Sequence, residues 1–354
     1  MQGPIGDEYR VLQIHPTLRC NLKCPHCYSS SSPEEEGELS LDLLRQTLTD
    51  AFAEGYNAVG VSGGEPLMFS SLYGVLGHAR SLGMAATVTT NGLLLDQKRL
   101  QELRPLVDLI AISLDGVEES HNRMRGNPRA FELMKRHLED VRNANVKFGF
   151  IFTLTMHNLH ELEEVASFAV EQGASLLQVH PLEEVGRAQT LLAKSSPDDL
   201  ELAYAFLECA RIKEMYAGKL QLQFDVADRE VVRDYPCKVY ADEPADLENV
   251  SERPLGDLVS TLIVESDGFV VPIQYGFSRA YGLGNLRDDS FRNHAAKWKM
   301  DCYPSFRQLC RQVFHQLVDA DRSDVPFTNW YGMIMQSSYT PLQTGPAVGW
   351  IPAP

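Results

Sequence analysis

No stretch of this 354-residue chain approaches the ~20 consecutive apolar residues that a membrane-spanning helix needs. The opening Met-Gln-Gly-Pro-Ile-Gly-Asp-Glu has neither a basic start nor an apolar core, so no secretory signal is expected and the expected location is the cytoplasm. Positive charge is also in short supply. Lys and Arg number 32 against 48 Asp and Glu, a net charge of −16, and a field of that sign argues against a nucleic-acid backbone as partner. Cysteines number seven, with Cys209, Cys237, Cys302 and Cys310 scattered and the other three crowded near the amino terminus. That is no disulfide framework, and a reducing compartment suits it better. The remaining composition, 44% hydrophobic and 23% charged, is that of an ordinary globular protein of one or two domains.

What is present is concentrated between Arg19 and Tyr28, which reads Arg-Cys-Asn-Leu-Lys-Cys-Pro-His-Cys-Tyr. Cys20, Cys24 and Cys27 stand at Cys-x3-Cys-x2-Cys spacing after an apolar run carrying Val11, Leu12 and Ile14. Three thiolates in so short a loop can converge on one metal centre. Zinc would want a fourth protein ligand to close its tetrahedron, whereas a cubane iron–sulfur cluster on three thiolates keeps one iron free for another ligand. The spacing resembles the signature of the radical S-adenosylmethionine (radical SAM) superfamily, with His26 in the usual aromatic position and Tyr28 following. The resemblance implies a 4Fe-4S cluster on Cys20, Cys24 and Cys27, with S-adenosyl-L-methionine as second cofactor.

Downstream, apolar strands alternate with helical segments, six βα units from Tyr9 to about Ala217. This rhythm implies an α/β protein with a parallel sheet and right-handed crossovers. With the resemblance it becomes a partial (β/α)6 TIM barrel over 1–220, its chemistry at the carboxyl ends of the strands. After Gln221 the rhythm is expected to break. Asp242–Pro254 reads as an acidic linker, Leu258–Glu265 and Phe269–Ile273 as a hairpin about Asp267-Gly268, 221–320 as a small carboxyl-terminal α+β lobe, and 321–354 as a tail.

The strand ends carry the candidate cofactor residues. Gly63-Gly64-Glu65-Pro66 follows the second strand. Taken alone it is an ordinary turn, although paired glycines let a backbone pass close to a ligand. The resemblance implies that it receives the cofactor's amino group. Thr90 and Asn91 end the third strand, Ser113 and Asp115 the fourth; the resemblance gives them the ribose hydroxyls and the methionine carboxylate, while turn and cap chemistry is the competing explanation. Phe150 to Thr155 matches the place where the family stacks adenine. Arg187 reads either as a partner for substrate or cofactor carboxylate, or as a plain loop charge.

The carboxyl-terminal hairpin resembles the SPASM or twitch domains of radical SAM maturases, but Pro272-Ile273 stands where Pro-Cys is usual and the dense cysteine block is missing. An auxiliary cluster is therefore not expected from Cys237, Cys302 and Cys310, and Cys310 or Cys302 is the candidate catalytic hydrogen donor to a product radical. The function implied is a maturase acting on a ribosomally synthesised precursor peptide (a RiPP), with electrons from a flavodoxin or ferredoxin. With no winged-helix segment before Tyr9, a separate leader-binding protein is the expected partner. The alternatives are a radical SAM dehydrogenase or epimerase of a small molecule such as a sugar or aminocyclitol, and a non-catalytic zinc-binding interaction module.

Overall fold

Strands and helices alternate along the computed structural model, which describes residues 9–242, 249–318 and 327–340. The strands are β1 (Val11–Ile14), β2 (Ala58–Val61), β3 (Ala85–Thr90), β4 (Leu109–Ser113), β5 (Phe148–Leu154), β6 (Leu176–Pro181) and β7 (Gln221–Phe224), then β8 (Ala227–Asp228), β9 (Thr261–Val264), β10 (Phe269–Pro272), β11 (Gly284–Asn285) and β12 (Phe327–Thr328). Between them run α1 (Leu41–Ala53), α2 (Leu72–Ser81), α3 (Gln97–Leu103), α4 (Glu118–Arg125), α5 (Ala130–Asn143), α6 (Leu162–Gln172), α7 (Ala188–Leu191), α8 (Asp199–Met215), α9 (Arg229–Asp234), α10 (Phe291–Asp301), α11 (Tyr303–Val318) and α12 (Trp330–Ser338). Short polar residues start several of the helices: Ser40 caps α1, and Asp198 with Glu201 forms a capping box on α8.

The strands from β1 to β7 lie in chain order and pair in parallel, so the expected βα barrel is present. Successive side chains on a strand face opposite sides, and here the two sides differ in kind. Leu12, Ile14, Ala86, Val88, Leu177 and Val179 are buried in the apolar core. Gln13, Thr87, Thr89, Gln178 and Gln223 line a central lumen instead. Burial of the first set drives folding; the second set is free to be polar.

Two expectations need correction, and one helix was not foreseen. The rhythm does not break at 221, because Gln221–Phe224 adds a seventh parallel strand beside β6. The carboxyl-terminal hairpin is not a lobe apart from the barrel sheet: β9 pairs in parallel with β1, and β10 and β11 extend the same ten-stranded sheet beyond it. The turn at Asp115-Gly116 leads into α4, a helix the periodicity did not reveal because it is short and almost entirely polar. Of the expected tail, only 327–340 lies within the described residues; there β12 pairs with β8 and α12 follows. Residues 1–8, 243–248 of the expected linker, 319–326 and 341–354 with Trp350 lie outside the described residues.

Candidate active site

Cys20, Cys24 and Cys27 all line one cavity of about 520 Å³ that runs from the strand ends into the lumen. The loop bearing them is held by its own backbone: the Cys20 N–H donates to the Ser32 carbonyl at 3.0 Å, and the Ser32 N–H to the Leu18 carbonyl at 3.2 Å. It is clamped again from the loop after β6. Arg187 donates through Nε to the Cys24 carbonyl at 2.9 Å and through Nη2 to the Ser31 carbonyl at 2.6 Å. Its backbone N–H reaches the Cys27 carbonyl at 3.1 Å. Arg187 is thus a clamp on the cysteine loop through Nε, Nη2 and its backbone N–H, and it also lines the cavity.

All three thiols are free. Burial pushes Cys20 up to about 12 and also raises Cys24, so thiolates here need compensating positive charge. Among the described residues no three His, Cys, Asp or Glu side chains stand close enough to hold a single metal ion. Three thiols spread around a shared cavity fit a polynuclear cluster, whose irons each take one thiolate, better than mononuclear zinc.

Gly63 and Gly64 line the cavity, and what their backbone passes closest to is the chain itself. A Cβ on Gly64 would stand 2.2 Å from the Arg19 carbonyl oxygen, and the Glu65 N–H donates to that oxygen at 2.9 Å. The Glu65 side chain does not reach the cavity. Fully buried, it accepts from Thr90 Oγ1 at 2.7 Å, the Asn91 N–H at 2.9 Å and the Leu67 N–H at 3.1 Å. Three donors occupy it, so its expected role toward an ammonium group gives way to stapling the second strand end to the third. Pro66 opens the turn behind it, buried and away from the cavity.

Thr90, Asn91 and Ser113 face the cavity, with Asn91 Nδ2 donating to Asn21 Oδ1 at 2.7 Å. Asp115 does not. It is fully buried, and its Oδ2 lies 2.7 Å from Arg125 Nη2 and 3.8 Å from His26 Nε2. Burial alone would raise its carboxyl, but the Arg125 guanidinium together with His26, His121 and the Thr153 N–H outweighs this and holds it below the usual range. Asp115 is therefore a positioning residue, and the cation it orients, Arg125, lines the cavity beside the Cys24 thiol. His26 is tied to the same helix, its Nδ1 lying 2.9 Å from the Met124 carbonyl oxygen.

On β5, Ile151 and Thr153 line the cavity whereas Phe150, Phe152 and Leu154 are core. The two cysteines expected as hydrogen donors are not in the site. Cys310 is fully buried within α11, and Cys302, at the junction of α10 and α11, contacts the Ala280 carbonyl at 3.6 Å; neither lines the cavity.

Sequence reasoning missed Arg125 and the wall made by β6 and β7. Asp225 accepts from Gln178 Nε2 at 2.6 Å and Gln223 Nε2 at 2.8 Å, and lies 3.3 Å from His180 Nδ1. Glu183 lies 3.6 Å from His180 Nε2 and accepts from Gln274 Nε2 at 3.4 Å. Burial would lower the His180 pKa, but the two carboxylates raise it to about 10. The available signal was a repeated pattern, Gln178-Val179-His180 and Gln223-Phe224-Asp225, polar at alternate positions of paired strands. Also missed was His15, stacked on Tyr275 with ring centroids 4.8 Å apart and with both ring nitrogens buried and unpartnered.

Residues 14–169 match the protein-family model described as the radical SAM superfamily. The chain is 30% identical over 188 residues to the Fe-coproporphyrin III synthase of Methanosarcina barkeri, a match covering 52% of this chain and 47% of that protein. It is 28% identical over 290 residues to the AdoMet-dependent heme synthase of the same organism, covering 80% and 81%. It spans about half the length of several curated relatives that it matches. Among solved structures, SuiB of Streptococcus suis bound to its precursor peptide SuiA superposes with a TM-score of 0.64 at 16% identity, covering 84% of this chain and 66% of that one.

Proposed function

We propose, from the premise that residues 14–169 form a radical SAM domain, that this chain is an enzyme that starts radical chemistry on an organic substrate held in the lumen. The family's cofactors are a 4Fe-4S cluster and S-adenosyl-L-methionine. The observation that carries the reading is that Cys20, Cys24 and Cys27 share one cavity with Gly63, Gly64, Thr90, Asn91 and Ser113. When bound to Cys20, Cys24 and Cys27, the cluster would supply an electron for reductive cleavage of S-adenosyl-L-methionine, the source of a 5′-deoxyadenosyl radical that would take hydrogen from substrate.

The chain's residues do the rest. Cys20, Cys24 and Cys27 would hold the cluster, and Arg125 would offset negative charge at Cys24. Backbone groups of Gly63 and Gly64 and the side chains of Thr90, Asn91 and Ser113 would orient the second cofactor. Ile151, Tyr28 and Tyr275 exclude water from the space where a radical would form.

A ribosomally synthesised precursor peptide is the first substrate reading, supported by fold similarity to a peptide-bound structure. A flavodoxin or ferredoxin reductant and a separate leader-binding protein belong to the same reading. A small molecule is the second, favoured by the polar wall of β6 and β7 inside the lumen. The test is anaerobic reconstitution followed by incubation with reductant and S-adenosyl-L-methionine. The intact chain is expected to bind iron and sulfide and to release 5′-deoxyadenosine; Cys24→Ala is expected to do neither. Release of 5′-deoxyadenosine by Cys24→Ala, or zinc without sulfide in the intact chain, would overturn the reading.

A further inference from the structure

The cavity has two chemically different sides. The thiols, the glycine pair and the ends of β3 and β4 form one. Across the lumen stand Gln178, His180, Glu183, Gln223, Asp225 and Gln274, which the proposed radical-forming step does not use. We propose that this second side is the substrate-recognition wall, and that it seats the hydrogen-bond-donating part of the substrate (an amine, an amide N–H or a set of hydroxyls) rather than a carboxylate or phosphate. This rests on the enzymatic reading above and names the substrate class for it.

The wall's own bonding dictates the preference. A carboxylate only accepts hydrogen bonds. Asp225 and Glu183 therefore fix the orientation of the three glutamines, each of which turns its NH2 to a carboxylate. Their carbonyl oxygens receive no donor among the described residues. Both His180 nitrogens also face carboxylates. One N–H of each glutamine amide is spent on a carboxylate, and the three amide carbonyls together with the two carboxylates leave the wall richer in acceptors than in donors.

Charge points the same way. One imidazolium between two carboxylates leaves the wall with a net negative charge. The lining arginines belong to the other side of the cavity, Arg125 beside Asp115 and Cys24 and Arg187 on the carbonyls of the cysteine loop. An anion seated against this wall would meet the like charge of Asp225 and Glu183. A second observation marks the lumen as built for a ligand. His15 is 1% exposed and lines the same cavity, with neither ring nitrogen partnered, and buried polar atoms are rarely left so.

The experiment is ligand-observed saturation-transfer NMR on the reconstituted full chain, with D-glucosamine, D-glucose and D-glucuronate as probes. These share one ring and differ in whether they present an ammonium, a hydroxyl or a carboxylate. Saturable binding of glucosamine is expected, at least about tenfold tighter than that of glucuronate, the size of a hydrogen bond to a charged acceptor. Asp225→Asn is expected to remove that preference. Gln274→Leu, which leaves the strands untouched, is expected to weaken glucosamine alone and serves if Asp225→Asn does not fold, as judged by circular dichroism. Equal or tighter glucuronate binding, no saturable binding of any probe, or an unchanged preference in a folded variant would overturn the proposal. Binding is read without turnover, so a failure here is distinct from a failure to release 5′-deoxyadenosine.

Discussion

Arg125 sits between two groups that need it. Asp115 is fully buried 2.7 Å away and the Cys24 thiol lies on its other side. A buried carboxylate stripped of its cation is among the costlier defects in a protein, about 3–5 kcal/mol. Arg125→Leu is accordingly expected to lower stability by about that amount in denaturant unfolding of the metal-free chain, and to reduce iron retained after reconstitution. A stability loss below about 1 kcal/mol would mean that Asp115 is not held as described. Asp115 was legible in the sequence but its partner was not, since nothing in Glu118–Arg125 shows which of its charges turns inward. Glu65 was misjudged for a related reason. Its three donors come from Leu67, Thr90 and Asn91, and two of these belong to another strand end, so adjacency in sequence could not reveal that the carboxylate was already occupied.

Among the elements, the cysteine loop is shaped less by itself than by what presses on it. The second strand end packs beneath Leu18 and Arg19 through Gly64, and the loop after β6 packs on Cys27 and Tyr28 through Gly186, where a Cβ would stand 2.2 Å from the Tyr28 carbonyl oxygen. Gly64→Ala must push the Arg19 carbonyl aside and is expected to cost about 1–3 kcal/mol, with less iron bound per chain on reconstitution. The measurements are the denaturation midpoint and an iron assay; full iron loading with unchanged stability would contradict this packing. At this scale the sequence was informative. Alternating apolar residues and strand-end glycines located β1 to β6, and the Cys-x3-Cys-x2-Cys spacing located the site. Four-residue β7 was lost because Gln221 and Gln223, the positions turned from the core, made it look like loop, although Gln223 is polar because it faces the lumen.

For the whole molecule, the strand that delivers the cysteines is an interior strand. Its neighbours are β2 on one side and β9 on the other, more than two hundred positions later in sequence. Tyr56 Oη reinforces this closure by donating to the Val259 carbonyl at 2.8 Å. A chain ended at residue 258 would expose the edge of β1, and exposed strand edges favour association. Such a fragment is expected to aggregate or to unfold without cooperativity in a thermal melt. A monomeric fragment melting as the full chain does would show the carboxyl-terminal segment to be dispensable. Long-range pairing of this kind could not be read in advance, because periodicity identifies a strand but not its neighbour.

The alternation that gives each barrel strand a greasy side and a wet side also separates two kinds of inheritance. Exchanging Gln178, Gln223 or Gln274 alters only what the lumen greets, while the sulfur-bearing loop rests on Gly64, Gly186 and Arg187 and takes no notice. A chain built on such a scaffold can change what its lumen holds and keep the loop of three thiols as it is.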